Sequence, residues 1–331
     1  MLLNDFEKEE KMKILLTGAS GFIGTNLLED LISKGYEVLN IDWKEPKIPI
    51  RKNVWINVDI TQYNSFEKAC LDYNPDYVIH LAARTDLDGK TVKEYDANVT
   101  GVENLMKIVH KLPNLKKVII TSSKFVTRNG YTIKDQFDYC PHTVYGESKV
   151  ETEKRVWAKP PTCDWCIIRP TSIWGPWFGV PYRNFFEMIK RRMYFHIGKI
   201  KCHKTYGYIG NSVYQIEQLL FNETTDQDNK VFYIGDEPAY EINEWADEIA
   251  GELGFSIPTM PVWFVKCLAK FGDLLGLMHI HFPMQSFRYG NMTNDGTNDM
   301  TNTYRIAPET PYTRLEGVRE TLTWIKEYER K

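Results

Sequence analysis

A chain of 331 residues with a formal net charge of −3 can bury a large core and fits one large α/β domain or two closely joined ones. That charge leaves no general basic footprint, which argues against nucleic acid as a partner, and no uninterrupted apolar stretch reaches the length that spans a bilayer. Six scattered cysteines and no secretory pattern point to a reducing cytoplasm.

The first eleven residues, MLLNDFEKEEK, are mostly polar and precede a second methionine at Met12; a disordered extension is expected over 1–11. The run Ile14–Leu16 then reads as a buried strand, and TNLLEDLI places Leu27, Leu28, Leu31 and Ile32 on one helical face. Gly18, Gly21 and Gly24 therefore lie at a strand-to-helix turn. Residues without Cβ let the chain turn sharply there, and they let an anion approach the free N–H groups and positive dipole end of the helix. Gly35 ends that helix and YEVLNID forms a second strand finishing in Asp42, roughly 20 residues past the glycines. A carboxylate at that place holds an adenosine ribose 2′-OH and repels a 2′-phosphate. The expected dinucleotide is NAD rather than NADP.

Up to about residue 170 strand-like runs (VLNID, YVIHLAA, KVIITSS, CIIRP) alternate with helical ones (SFEKACLDY, VTGVENLMKIVHKL, YGESKVETEKRVWA). This rhythm indicates an α/β fold, a Rossmann-type doubly wound parallel sheet wrapped by helices. Cys163 and Cys166 form a C-x-x-C beside CIIRP with no second pair at zinc spacing, so packing is expected there and no metal. Beyond Pro170 the pattern turns irregular, with WGPWFGVP, a helical NEWADEIAGELG and the apolar segment Val262–Ile280. That segment is interrupted by Lys266, Lys270 and Asp273 and reads as a core-facing amphipathic helix. Membrane-surface contact and cover over a substrate pocket are its other readings. VFYIGD, 231–236, looks like a strand returning to the sheet. The expected division is a dinucleotide-binding domain over 12–170, with a returning segment at about 205–236, and a smaller mixed substrate lobe over 171–204 and 237–331.

Two further stretches carry chemistry. In TVYGESKVETEK, Tyr145 and Lys149 are four apart and share one face of a helix. In VIITSSKFV, Thr121, Ser122 and Ser123 end a strand at the rim where α/β sheets hold their ligands.

With the glycine turn, these stretches resemble the extended short-chain dehydrogenase/reductase family, and within it the NAD-dependent nucleotide-sugar epimerases and dehydratases, enzymes like UDP-galactose 4-epimerase. Thr17-Gly18-Ala19-Ser20-Gly21-Phe22-Ile23-Gly24 matches the family's TGxxGxxG, and Tyr145-Gly146-Glu147-Ser148-Lys149 matches its YxxxK. His80-Leu81-Ala82-Ala83 follows the expected fourth strand, Asn98 in YDANVTG matches a structural asparagine, and EGVRETLTWIKE resembles the usual ending. The resemblance implies cofactor contacts from Gly18, Gly21, Phe22, Ile23, Gly24, Asp42, Asp59, Ile60, Leu81, Ala82, Ala83, Asn98, Tyr145, Lys149 and Pro170. It makes Tyr145 the base for a sugar hydroxyl and Lys149 the grip on the nicotinamide ribose. Ser123 aligns with the catalytic hydroxyl, with Ser122 as the alternate.

Departures from the family pattern narrow the reaction. Nucleotide-sugar 4,6-dehydratases carry Thr-Asp-Glu where this chain has Ser123, Lys124 and Phe125. Phenylalanine removes no proton, so dehydration is disfavoured and epimerisation at C4 through a 4-keto intermediate is expected. Lys204 falls where relatives place a phosphate-binding arginine, and Arg288 resembles the arginine of their R-x-G-D. Asn291 and Ser172 replace an aspartate and an asparagine, which leaves base and sugar open, with a UDP-sugar as the expected substrate. The alternatives are a 4-keto-sugar reductase, a hydroxysteroid-dehydrogenase-like oxidoreductase and a non-catalytic NAD-binding regulator. In relatives the helices near Val92–Leu112 and Tyr145–Trp157 pair into a homodimer. Val99, Val102, Leu105, Met106 and Val109 are the expected apolar stripe here.

Overall fold

The computed structural model describes residues 11–224, 229–277, 279–280, 282 and 284–328; most of the expected 1–11 extension lies outside them. The chain divides into two compact units. One holds the residues up to Thr127 with Ile133–Arg169 and Ile216–Phe232; the other holds Arg128–Thr132, Pro170–Gln215 and the residues from Tyr233 on.

In the first unit β1 (Lys13–Thr17), β2 (Glu37–Asp42), β3 (Trp55–Asn57), β4 (Tyr77–His80), β5 (Lys117–Thr121) and β6 (Asp164–Pro170) alternate with α1 (Phe22–Ser33), α2 (Tyr63–Tyr73), α3 (Asp96–Val109) and α4 (Val144–Ala158). After β7 (Ser172–Trp174), β8 (His196–Ile197), β9 (His203–Lys204) and β10 (Tyr206–Tyr208), strand β11 (Val231–Ile234) completes a seven-stranded sheet of order β11-β6-β5-β4-β1-β2-β3. Ile167 N–H donates to Lys230 O and Thr171 N–H to Ile234 O, so β11 advances in the same direction as β6. The five registered pairs from β3 to β6 are parallel. Burial on both faces explains why these strands read as continuous apolar runs: Ile14, Leu15, Leu16, Val118, Ile119 and Ile120 are all buried. Strand order reverses between β1 and β4, and ligands of such sheets bind at the carboxyl ends flanking that switch.

Glu153 of α4 and Arg169 of β6 form a buried two-pronged ion pair, Nε to Oε1 at 2.8 Å and Nη2 to Oε2 at 2.7 Å. It ties α4 to the sheet. Of the stripe expected to face a second copy, Val102, Leu105, Met106 and Val109 are buried in this unit's own core. The C-x-x-C packs: burial pushes the Cys166 thiol up to about 12 and the Cys163 thiol up to about 11.

The second unit contains α5 (Tyr182–Lys190), part of α6 (Ile209–Phe221), β12 (Tyr240–Glu241), α7 (Ile242–Glu252), β13 (Thr259–Met260), α8 (Val262–Leu277), α9 (Ser286–Thr293), α10 (Thr301–Ile306) and α11 (Arg314–Tyr328). Its core is aromatic, with the Trp174 ring centroid 5.0 Å from Trp245 and 5.6 Å from Phe186. The returning segment is shorter than 205–236. Residues 205–215 stay with the second unit because β10 pairs with β7 and not with the large sheet. The Val262–Ile280 segment forms α8 with the expected core face, Val265, Ala269 and Gly272 buried and Val262 and Leu268 packed partly buried beside them; its other face exposes Trp263, Phe271, Leu274 and Leu277.

Candidate active site

The turn from β1 to α1 is shaped by glycines that have no room for a side chain. Gly18 has φ +76°, and a Cβ on it would lie 2.5 Å from Ala82 N; a Cβ on Gly24 would lie 2.5 Å from Gly18 O. Gly21 caps α1 without a side-chain hydrogen bond, and N–H groups in the first turn of a helix have no intrahelical carbonyl to donate to. That is a cradle for a pyrophosphate. The loop is latched to β2 by two side chains: Asn40 Oδ1 accepts from Ala19 N–H at 3.1 Å, and Asp42 Oδ2 accepts from Ser20 N–H at 3.1 Å. Asp42 Oδ1 also accepts from Lys44 N–H at 2.9 Å. Burial pushes the Asp42 carboxyl up from its ordinary value, and these N–H donors pull against that shift.

The opposite wall follows β4. Thr17 Oγ1 lies 2.7 Å from His80 Nδ1 and accepts from Ala82 N–H at 3.2 Å. Burial, with the Lys149 charge nearby, drives His80 down to about 3, so this imidazole is neutral. Buried Asn98 accepts from Arg84 N–H at 2.8 Å and donates to Arg84 O at 3.0 Å and Ser148 Oγ at 2.9 Å. Ser148 Oγ in turn donates to Tyr145 O at 2.7 Å. The loop after β4 and the first turn of α4 are thus fixed to each other. Asp59 accepts from Thr61 N–H and Thr61 Oγ1 at 2.9 Å, and Ile60 is buried against Gly101. Pro170 ends β6.

At the end of β5, Thr121 Oγ1 and Ser122 Oγ are buried without a protein partner. Ser123 Oγ accepts from Phe125 N–H at 3.2 Å and caps a short 3-10 turn over Lys124–Val126. A Cβ on Gly146 would lie 2.3 Å from Phe125 O, so α4 starts directly against that turn. Tyr145 is buried and its ring packs against Tyr95 at 6.0 Å and Phe125 at 5.8 Å. One helical turn on, Lys149 Nζ donates to Thr121 O at 2.9 Å. Burial lowers the Lys149 ammonium to about 8, with Glu153 opposing the shift, so it stays mostly protonated at neutral pH.

Tyr145, Lys149, Thr121 and the Ser123 turn therefore meet at the carboxyl end of β5. Lys204 and Arg288 belong to the second unit, half-buried on β9 and exposed on α9 respectively. The sequence reading missed Asn40, Ser148 and Gly146 as positioning residues. Their signals were a polar side chain inside a buried strand, a serine on the inner face of α4, and a glycine where a helix begins.

These glycines, the buried carboxylate at the end of β2 and the unsatisfied hydroxyls of β5 fit a dinucleotide. NAD should bind more tightly than NADP by at least about tenfold, or 1.4 kcal/mol, because a 2′-phosphate would meet the Asp42 carboxylate. Titration calorimetry with both cofactors checks this, and equal affinities would refute it.

Comparison with known proteins gives the same reading. The chain is 28% identical over 321 residues to the N-acetyl-α-D-glucosaminyl-diphospho-ditrans,octacis-undecaprenol 4-epimerase of Escherichia coli O157:H7, covering 94% of each chain. It is 26% identical to the UDP-glucose 4-epimerase of Vibrio cholerae, over 82% of this chain and 84% of that one. The crystal structure of Bordetella bronchiseptica WbmG in complex with NAD superposes with a TM-score of 0.72 at 20% identity, over 98% of this chain and 96% of that one, and shares its fold. The family model described as NAD dependent epimerase/dehydratase family matches residues 14–204. With the glycine cradle, the Tyr145/Lys149 pair and that match in hand, the chain belongs to the NAD-dependent epimerase/dehydratase family and is an enzyme whose cofactor is NAD.

Proposed function

We propose that this enzyme epimerises a nucleotide-activated sugar, a UDP-sugar, at C4 through a 4-keto intermediate. One observation supports this above the others: Tyr145 and Lys149 lie one turn apart on α4, with Gly146 against the turn that carries Ser123, and Phe125 occupies the place where dehydration needs a carboxylate. Bound NAD supplies the acceptor and donor of hydride. The protein supplies proton transfer and position. A free tyrosine, with a reference pKa of about 10, is a poor base at neutral pH. The Lys149 ammonium favours the phenolate, which takes the 4-OH proton and later returns it. Ser123 donates a hydrogen bond to the same sugar oxygen. Lys204 and Arg288 are the proposed contacts to the diphosphate, Lys204 as a point charge rather than a two-pronged grip.

The test is conversion of a panel of UDP-sugars followed by NMR in D₂O. The expected product is the C4 epimer with no deuterium at C4 and no accumulation of NADH. NADH rising in step with product would indicate a net oxidoreductase instead. A second reading keeps the chemistry and changes the carrier, a sugar on a polyprenyl diphosphate. It is favoured by the 94% coverage of the undecaprenol-linked relative and by the missing nucleotide-binding aspartate at Asn291; turnover of the lipid-linked sugar alone would decide for it.

The same reading includes a homodimer through α3 and α4. A cavity of about 950 Å³ opens on these helices, lined by Val92, Val99, Pro141, Val150, Lys154 and Arg155 among others, and Val99 is half-buried where its neighbours on α3 are spent on the core. Light scattering at micromolar concentration should give twice the chain mass, and Val99→Glu should give the monomer. A monomeric parent enzyme would refute the dimer.

A further inference from the structure

Helix α8 has two apolar faces. The inner one, Val265, Ala269 and Gly272, is buried, and Gly272 is so tightly seated that a Cβ on it would lie 1.8 Å from Met284 O. The outer face carries the larger side chains: Trp263 is 68% exposed, Phe271 50%, Leu274 56% and Leu277 80%, and Phe287 on the adjoining α9 is 80% exposed. A helix covering a soluble core shows the opposite arrangement, with polar residues outward. Scattered exposed leucines are ordinary, but a contiguous group on one face marks an interaction surface.

Charge narrows what covers it. Between residues 262 and 287 the sequence carries Lys266 and Lys270 against one acid, Asp273, in a chain whose net charge is −3. Asp273 already accepts from Ser286 N–H at 3.0 Å and from the Ser286 hydroxyl. Lys266, Lys270, Ser286 and Tyr289 line a cavity of about 280 Å³ between α8 and α9, the size and sign for a headgroup phosphate. A second copy docked on this face would double its lysines and bring only one further acid, a second Asp273, to offset them. Among the described residues no helix is long and apolar enough to cross a membrane, so contact would be in the plane of the surface.

We propose that the α8–α9 face docks on an anionic lipid bilayer, with Lys266 and Lys270 taking a headgroup phosphate in the cavity and Trp263, Phe271, Leu274 and Leu277 entering the acyl boundary. Interfacial helices join an apolar face to flanking basic residues in this way, and each lysine adds attraction to anionic lipid. The contact is independent of the reaction catalysed.

Flotation of the full chain with vesicles tests it. Vesicles of phosphatidylcholine with phosphatidylglycerol should carry the protein at about 0.1 M salt and carry less at about 1 M, where the Debye length falls to ~3 Å; phosphatidylcholine alone should carry little. A Leu274→Glu/Leu277→Glu variant should lose at least about tenfold in partitioning, and Lys266→Glu/Lys270→Glu should lose the preference for anionic lipid. Both variants change exposed side chains and should keep the parent's melting temperature and its turnover of a soluble UDP-sugar. If the parent does not float, if Leu274→Glu/Leu277→Glu floats equally, or if that variant turns a dimer into a monomer, the proposal is overturned.

Discussion

Tyr145→Phe should keep the fold and NAD affinity while kcat falls on the order of 10² to 10⁴, the usual contribution of a positioned acid–base group. The ring contacts with Tyr95 and Phe125 survive the change, so thermal unfolding and calorimetric NAD binding should match the parent, and only turnover should move. Activity surviving in this variant would rule out Tyr145 as the base. Ser123→Ala should cost less, because one hydrogen bond to the sugar oxygen is lost and the proton acceptor remains. Lys149→Met separates chemistry from stability. The folded ammonium titrates near 8 against an ordinary 10.5, so between those values the unfolded chain binds more protons and the parent gains stability as pH rises. The variant should lose that slope, lose turnover and cofactor affinity, and melt no lower than the parent at neutral pH.

Glu153→Ala should destabilise the first unit by about 3–5 kcal/mol, the cost of leaving one partner of a buried ion pair uncompensated. Both Arg169 and Glu153 are almost fully shielded from water. Arg169 also donates to Gln136 O at 2.9 Å, and Tyr139 Oη donates to Glu153 at 3.0 Å, so the loss strands several groups at once. Urea unfolding measures the effect. Replacing both partners, as Glu153→Leu/Arg169→Met, should recover a large part of it, since no charge is then left buried. A single variant as stable as the parent would show that the pair is solvated in solution. Because α4 carries Tyr145, Glu153→Ala should also lower kcat before it unfolds the protein.

The sheet was legible because its inner strands are buried on both faces, and uninterrupted runs such as KILLT and KVIIT leave few other readings. The glycine turn was legible for a related reason. Only residues lacking Cβ fit where Gly18 meets Ala82, so the constraint is written in residue type. Strand β3 escaped because three residues at a sheet edge carry too little periodicity, and Trp55 is held there by a side-chain bond to Asp42 O at 2.8 Å. Helix α8 was visible as a helix, yet its spacing could not say which of two apolar faces turns inward; that depends on the small residues Ala269 and Gly272 meeting a particular backbone. Asn98 was recognised by motif alone, whereas its bonds to Arg84 and Ser148 join segments 14 and 50 residues apart, a pairing no local pattern encodes.

The latch between β2 and the glycine loop bears on redesign. Asp42 props up the Ser20 amide, so if it is the group that chooses the cofactor, as proposed above, it is also a strut of the glycine loop. Exchanging it for a small neutral residue to admit NADP removes the repulsion and the support together. Admitting a phosphate without slackening the loop calls for a side chain at position 42 that still accepts from that amide, such as asparagine, with a new cation placed beyond Lys44. Asn40, bonded to Ala19 from the same strand, should be left untouched in any such exchange.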